Sequence, residues 1–284
     1  MAALYLIISV TSMVLQNCFS NSFSKSSPRT RKEITFFNSL SYIVCVIIYG
    51  IIAILHKSLS PFTIVTGFIF GFLTANSISN RMKALTIGPM NITLLITTSS
   101  MIIPTLSGIF FGEKFSLPKL CGVFALLFFI YLSLGRGNGK KIDKSWFFYC
   151  SIAFLCQGFI GVMQKVHQTS QYKDESAGFL LMAFTFSLVY SIFVLGKDVS
   201  KIKLSAKYNI FALFCGLFVF AMNYLNLLLS GILPSQLLFP LVNGSSIIIS
   251  TLISVFLFKE SLTKKQIVGV SGGIACLIAI CLLP

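Results

Sequence analysis

Ser99-Ser100-Met101-Ile102-Ile103-Pro104-Thr105-Leu106 returns 146 residues later as Ser245-Ser246-Ile247-Ile248-Ile249-Ser250-Thr251-Leu252. After a one-residue gap the match continues, with Gly112-Glu113-Lys114-Phe115-Ser116 facing Lys259-Glu260-Ser261-Leu262-Thr263. Further on, Leu120-Cys121-Gly122-Val123 faces Ile267-Val268-Gly269-Val270, and upstream Ile87-Gly88-Pro89 faces Ile232-Leu233-Pro234. A weaker correspondence sets Gln16 and Lys25 beside Gln157 and Lys165. The 284-residue chain therefore reads as two related halves, 1–139 and 140–284, with the flexible basic stretch Gly135-Arg136-Gly137-Asn138-Gly139-Lys140-Lys141 at their junction.

The medium for these halves follows from composition. Apolar residues make up 56% of the chain and charged residues only 10%, at a mean hydropathy of +0.90. A soluble domain carries about 25% charged residues. A helix crossing the hydrocarbon needs about 20 apolar residues. Ten such spans can be laid out: Ala2–Ser22, Ile34–Leu55, Phe62–Met82, Met90–Phe111, Pro118–Gly135, Trp146–Val166, Ser176–Gly196, Lys207–Ser230, Pro234–Phe258 and Lys264–Leu283. A closed barrel also satisfies every backbone group in lipid. Its strands would alternate every second residue, and Ile43–Leu55 and Cys121–Leu134 do not. The first span lacks the positive leading region of a secretory signal and is followed by nine more, so it reads as helix one.

The net charge of +15 encodes orientation rather than nucleic-acid binding. The odd-numbered connections hold 17 Lys and Arg residues, among them Arg81, Lys83, Lys140, Lys141, Lys264 and Lys265. The even-numbered ones hold five: Lys57, Lys114, Lys119, Lys165 and Lys173. The odd connections are expected in the cytoplasm of a cell-membrane protein, with both termini outside.

Five spans per half is an odd number, so the second half enters the membrane inverted. The expected fold is all-α, with ten transmembrane helices as two inverted five-helix repeats. Inverted repeats are an architecture of secondary transporters, with a site near the bilayer midplane. At this point the residues resemble a known group. The fourth helix of each half ends in Gly112-Glu113 or Lys259-Glu260, a Ser or Thr follows, and Gly122 matches Gly269. With five helices per half, this resembles the EamA-type domains of the drug/metabolite transporter superfamily. Ser20-Asn21-Ser22-Phe23-Ser24-Lys25 is similar to that family's pattern at the end of helix one, although the tryptophan-glycine that usually precedes it is missing. The resemblance implies a ten-helix carrier of small metabolites, often an exporter, with a central cavity. Many relatives are thought to keep both termini in the cytoplasm, the reverse of what the charge count indicates. The family spans amino acids, sugars, nucleotide sugars and drugs, so substrate does not carry over.

Polar residues within spans either bond helix to helix or face water. Thr97 with Ser100, and Asn243 with Ser246, share faces halfway along helices four and nine. They are the leading substrate-binding candidates, while the plainer reading has each hydroxyl bonding the carbonyl four residues back. Asn243 satisfies itself less easily. Asn76 and Asn80 on helix three, and Asn223 and Asn226 on helix eight, form a second set that either lines the cavity or bonds helices together. Gln16 and Gln157 are further candidates. Pro104 and Pro240 are expected to kink helices four and nine, and Ile248 is expected to face lipid. The glycine pairs Gly67/Gly71, Gly108/Gly112 and Gly269/Gly273 have the spacing for close helix approach.

Absences narrow the function. All seven acidic residues lie in connections or at helix ends, so no mid-membrane carboxylate is expected to couple protons. Lys25 and Lys165 are expected to snorkel to the interface, the alternative being that they assist an anionic substrate. His56 and His167 are far apart, and the eight cysteines show no ligand spacing and read as packing residues. No metal cluster, phosphate loop or catalytic triad is visible. The sequence therefore points to a transporter, not an enzyme, that needs no cofactor. It would move a small polar or zwitterionic metabolite by alternating access, in the bilayer, as a monomer or homodimer. The alternatives are a flippase of the same fold for a lipid-linked head group, and a membrane enzyme.

Overall fold

Long apolar runs separated by short polar connections leave the backbone in lipid one economical solution, which is to form helices. The computed structural model bears this out. It describes residues 1–25, 30–56, 59–88, 90–134, 143–196, 202, 204–258 and 263–283, and all regular structure among them is helical. In order the helices are α1 (Ala2–Lys25), α2 (Arg31–His56), α3 (Pro61–Ile87), α4 (Met90–Ser99), α5 (Ile102–Ser107), α6 (Leu117–Ser133), α7 (Lys144–Gln168), α8 (Ser176–Leu195), α9 (Ala206–Ile232), α10 (Ser235–Phe258) and α11 (Lys264–Leu282). A 3₁₀ turn, Gly108–Phe111, extends α5, and a second, Lys173–Glu175, precedes α8. Nine spans among the described residues are long and apolar enough to cross a membrane, with α4 and α5 counting as one; α6 is apolar but shorter. The protein is a multi-pass helical membrane protein.

Helix four is interrupted where its proline removes a backbone bond. One turn of tighter, 3₁₀-type bonding separates α4 from α5, with the backbone still right-handed at Met101. The amides of Ser100 and Met101 reach only three residues back, to Thr97 and Thr98, and Ile103 bonds the carbonyl of Ser100. Pro104 has no N–H for that carbonyl, and the chain restarts as α5. Pro240, in contrast, lies inside α10, which continues through it.

The described chain forms two compact units, each drawing on both halves of the sequence. Unit 1 combines Met1–Ala75 with Val166–Gly231, and unit 2 combines Asn76–Lys165 with Ile232–Pro284. The expected junction at residues 139 and 140 lies outside the described residues.

Unit 1 is laced by side-chain bonds to backbone carbonyls. Ser41, Cys45 and Tyr49, one per turn of α2, donate to the carbonyls of Ala212, Gly216 and Phe220 at 2.8, 3.5 and 2.8 Å. Both sets of positions rise together, so α2 and α9 run parallel. Gly216 admits the contact, since a Cβ there would lie 2.7 Å from the carbonyl oxygen of Ser41. The Gly67/Gly71 spacing works as expected: a Cβ on Gly67 would sit 2.6 Å from the carbonyl oxygen of Phe179, and one on Gly71 would collide with that of Ala183.

Unit 2 is built around α10, which packs against α5, α6 and α11, while α6 and α11 pair antiparallel along their length. Gly269 lets that pair close to backbone contact. Ile248 corrects an expectation: it is 3% exposed and covers Gly273 instead of facing lipid. Of the Gly108/Gly112 pair only the first allows a close approach. Gly112 ends the 3₁₀ turn with φ of 73°, in the left-handed region, and a Cβ there would meet nothing within 4 Å. Gly108 admits α10, since a Cβ on it would stand 3.1 Å from that of Ser235, and it leaves room for the side chain of Glu113, which folds back over it.

Candidate functional site

Three elements of unit 2 converge on Gly161 of α7. A Cβ on Gly161 would stand 2.8 Å from Pro104 of α5 and 2.9 Å from the ring of Phe239 of α10. One turn earlier, Gly158 takes the side chain of Ile103, so α5 and α7 run parallel and α10 runs against them. Pro104, Gly161 and Phe239 form a tight apolar contact, called the plug below.

Depth along these helices can be counted from the plug at 1.5 Å per residue. Gln157 and Asn243 each lie four residues from it on the same side, about 6 Å along their helices, and Ser100 lies four residues before Pro104, in the turn between α4 and α5. Thr97 and Ser246 lie three residues deeper. Helix α3 joins through Ser77, whose hydroxyl donates to Oε1 of Gln157 at 2.9 Å. Lys83 stands 5.0 Å from the ring centroid of Tyr149, which fixes α3 as antiparallel to α7. Asn80 therefore falls beside the deeper positions, with Asn76 beside the first. Seven of the ten residues singled out in the sequence thus occupy two adjacent polar layers of unit 2.

Most of these groups satisfy themselves locally. Thr97 donates to the carbonyls of Thr93 and Leu94, Thr98 to Leu94, Ser99 to Leu95 and Ser100 to Thr97. Ser246 donates to Asn243 at 2.9 Å. The plainer reading of the hydroxyls describes their hydrogens, and Asn243 too proves able to bond its own helix. Its Nδ2 donates to the carbonyl of Phe239 at 2.9 Å, and Asn80 treats Asn76 in the same way. What remains differs between residues. Asn243 is half-buried and keeps Oδ1 as an acceptor, while Gln157 has spent Oε1 and keeps the Nε2 donors. An acceptor and a donor pair thus stand at one depth.

The remaining candidates belong to unit 1. Asn226 accepts from the hydroxyl of Ser9 at 2.5 Å and so ties α9 to α1. Asn223 bonds back to the carbonyl of Val219. Gln16 contributes its backbone carbonyl to the Cys215 thiol. Asn226 thus makes an interhelical bond.

On the other side of the plug sits a group that the sequence did not disclose. Lys165, four residues beyond Gly161, does not snorkel. It is 6% exposed and ion-paired at 2.5 Å with Glu113, from the connection between α5 and α6. The pairing is decided by a partner 52 residues away, which interfacial reasoning about a lone lysine misses. Glu113 also accepts from the amide and hydroxyl of Ser235, at 2.6 and 3.1 Å, at the start of α10. Lys165 donates to the carbonyl of Leu233 at 3.3 Å. Gln236 holds the amide of Ser116 ahead of α6. The sequence-level repeat partner of Glu113, Glu260, lies outside the described residues, as does the side chain of Lys25. Unit 1 uses one carboxylate similarly: Glu175 accepts from the amide and hydroxyl of Ser60 at 2.9 and 2.8 Å, capping α3. His167, fully buried, lies against Phe179 with ring centroids 4.4 Å apart, and neither ring nitrogen has a partner among the described residues.

The fold recurs in a solved structure. It is described only as "Crystal structure of protein", has 16% identity to this chain, and superposes over 98% of each chain with a TM-score of 0.75. No protein-family model and no curated protein matches the sequence. At that identity the likeness speaks for the fold alone, and any function has to be argued from unit 2.

Proposed function

We propose that this protein is a secondary transporter of the drug/metabolite transporter type. It carries a small polar, neutral or zwitterionic metabolite by alternating access. The observation that carries this is the pair of polar layers beneath the Pro104–Gly161–Phe239 plug. A structural bond needs no repeat at one depth on four separate helices. The Oδ1 of Asn243 suits a ligand hydroxyl or ammonium, and the Nε2 of Gln157 suits a carbonyl or carboxylate. The sequence duplication, with five spans per half, adds the inverted symmetry that such carriers use.

Flux of a metabolite panel into vesicles containing the purified protein tests this. Asn243→Ala should weaken substrate affinity by a few-fold to about tenfold, the worth of one hydrogen bond to a neutral ligand. Ser246→Ala and Thr97→Ala should do less. Ile249→Ala, on the exposed side of α10, should leave flux unchanged. If Asn243→Ala lowers only thermal stability and leaves affinity intact, the layers bind helix to helix and the site lies elsewhere.

Orientation forms part of the same proposal: the 17-to-5 charge bias places both termini outside. A reporter active only in the cytoplasm should stay silent when fused to the C-terminus. Strong activity there would invert the topology.

A further inference from the structure

We propose that Glu113, Lys165 and the N-terminus of α10 form a latch over the polar layers. This latch has to part before the layers can be reached from that end. The inference rests on the transporter reading and adds a moving part to it. Its place in unit 2 comes first. From the polar layer to the plug is one helical turn, and from the plug to Lys165 or Ser235 is one more, on α7 and α10 respectively. The latch thus lies directly beyond the apolar contact that covers the candidate site.

Its construction comes second. One carboxylate collects an ammonium and two donors of Ser235, and Lys165 reaches past it to the carbonyl of Leu233. The α5–α6 connection, the end of α7 and the start of α10 are joined at one point. Gly108 is required for this, because a side chain there would occupy the place of the Glu113 carboxylate.

The choice of chemistry comes third. A buried ion pair is a poor source of net stability, since desolvation consumes most of the Coulombic gain. The same balance makes it a good latch. When the end opens, each charge recovers its hydration, so the closed and open forms lie close in free energy. An apolar contact in the same place would oppose opening by exposing its surface to water. A two-state element of this kind can be biased by a ligand bound one turn deeper.

The test is chemical access to the polar layer. A cysteine replaces Asn243, and the protein in vesicles is treated with a membrane-impermeant maleimide from the side of the Glu113 connection. Peptide-resolved mass spectrometry separates that thiol from the native ones. With the latch intact, labelling should be slow. The doubly neutral Glu113→Gln, Lys165→Met protein should label about tenfold faster, as should Gly108→Ala, which displaces the carboxylate without changing charge. Ile249→Ala, on the exposed side of α10 away from the latch, should label at the parent rate. Labelling of both latch variants at the parent rate would overturn the proposal, and so would equal acceleration by Ile249→Ala. If wild-type vesicles move no member of the metabolite panel, the transporter reading fails by itself. If they do move one while latch variants label like the parent, only the latch fails.

Discussion

Replacing Gly269 with alanine is expected to destabilise the protein by about 3 kcal/mol, at the upper end of what overpacking one methyl group costs. The position looks harmless: its backbone is helical, and alanine is the better helix former. The obstacle is the neighbouring helix. A Cβ there would collide with the amide nitrogen of Ser133 and stand 2.7 Å from both the carbonyl carbon of Leu132 and the carbonyl oxygen of Phe129. Those are backbone atoms of α6, which cannot rotate aside as a side chain would. The two helices must separate, and contacts along their shared length are lost together. Gly112→Ala makes the contrast, because its φ of 73° is unfavourable for alanine but nothing crowds it. That change should cost about 1–2 kcal/mol, the ordinary penalty for a left-handed residue. Thermal unfolding midpoints in detergent measure both. Gly112→Ala proving the more damaging would mean that α6 and α11 do not approach as closely as described.

The sequence exposed much of this fold because membrane helices announce themselves by length. An apolar run of about 20 residues has one solution in lipid, and the expected spans end within a few residues of the observed helices. What it could not expose are choices between physically equivalent partners. Even with the two halves read as a repeat, no periodicity says that α2 packs on α8 or α6 on α11. Pro104 and Pro240 carry the same local instruction, yet one accompanies a break and the other lies within a continuous helix. On helix four the amides of Ser100 and Met101 bond the carbonyls of Thr97 and Thr98, three residues back, whereas α10 stays α-helical through Pro240. Of the ten candidate residues, those on α3, α4, α7 and α10 could be found because each is polar in an apolar run. Their common depth needed the plug, and the signal for the plug was the Gly158/Gly161 spacing on α7, which the sequence reading passed over. Ile248 was misplaced because a hydrophobic residue on a membrane helix packs equally well against lipid or protein. Lys165 was misread for a related reason, since a lysine near a helix end satisfies either environment.

Truncating Glu113 should therefore be far more damaging than truncating Lys165. Glu113→Ala removes the ammonium's counter-charge and both acceptors at the start of α10. Lys165 would be left buried with its positive charge directed at a carbonyl, and the first amide of α10 would lose its partner. Breaking a buried pair in this way costs about 3–5 kcal/mol, and loss of an N-terminal cap adds about 1 kcal/mol. Lys165→Met leaves the opposite remainder. The carboxylate keeps the amide and hydroxyl of Ser235, a helix N-terminus favours a negative charge, and the methionine fills the apolar length of the lysine stem. Its cost should be well below that of Glu113→Ala, and the doubly neutral Glu113→Gln, Lys165→Met protein should fall below it as well. Unfolding midpoints of the four proteins, wild type included, give the order directly. If Lys165→Met is the most damaging, the carboxylate depends on the lysine more than on α10. The pair would then act as a fixed clamp on α7 and would not be poised to open.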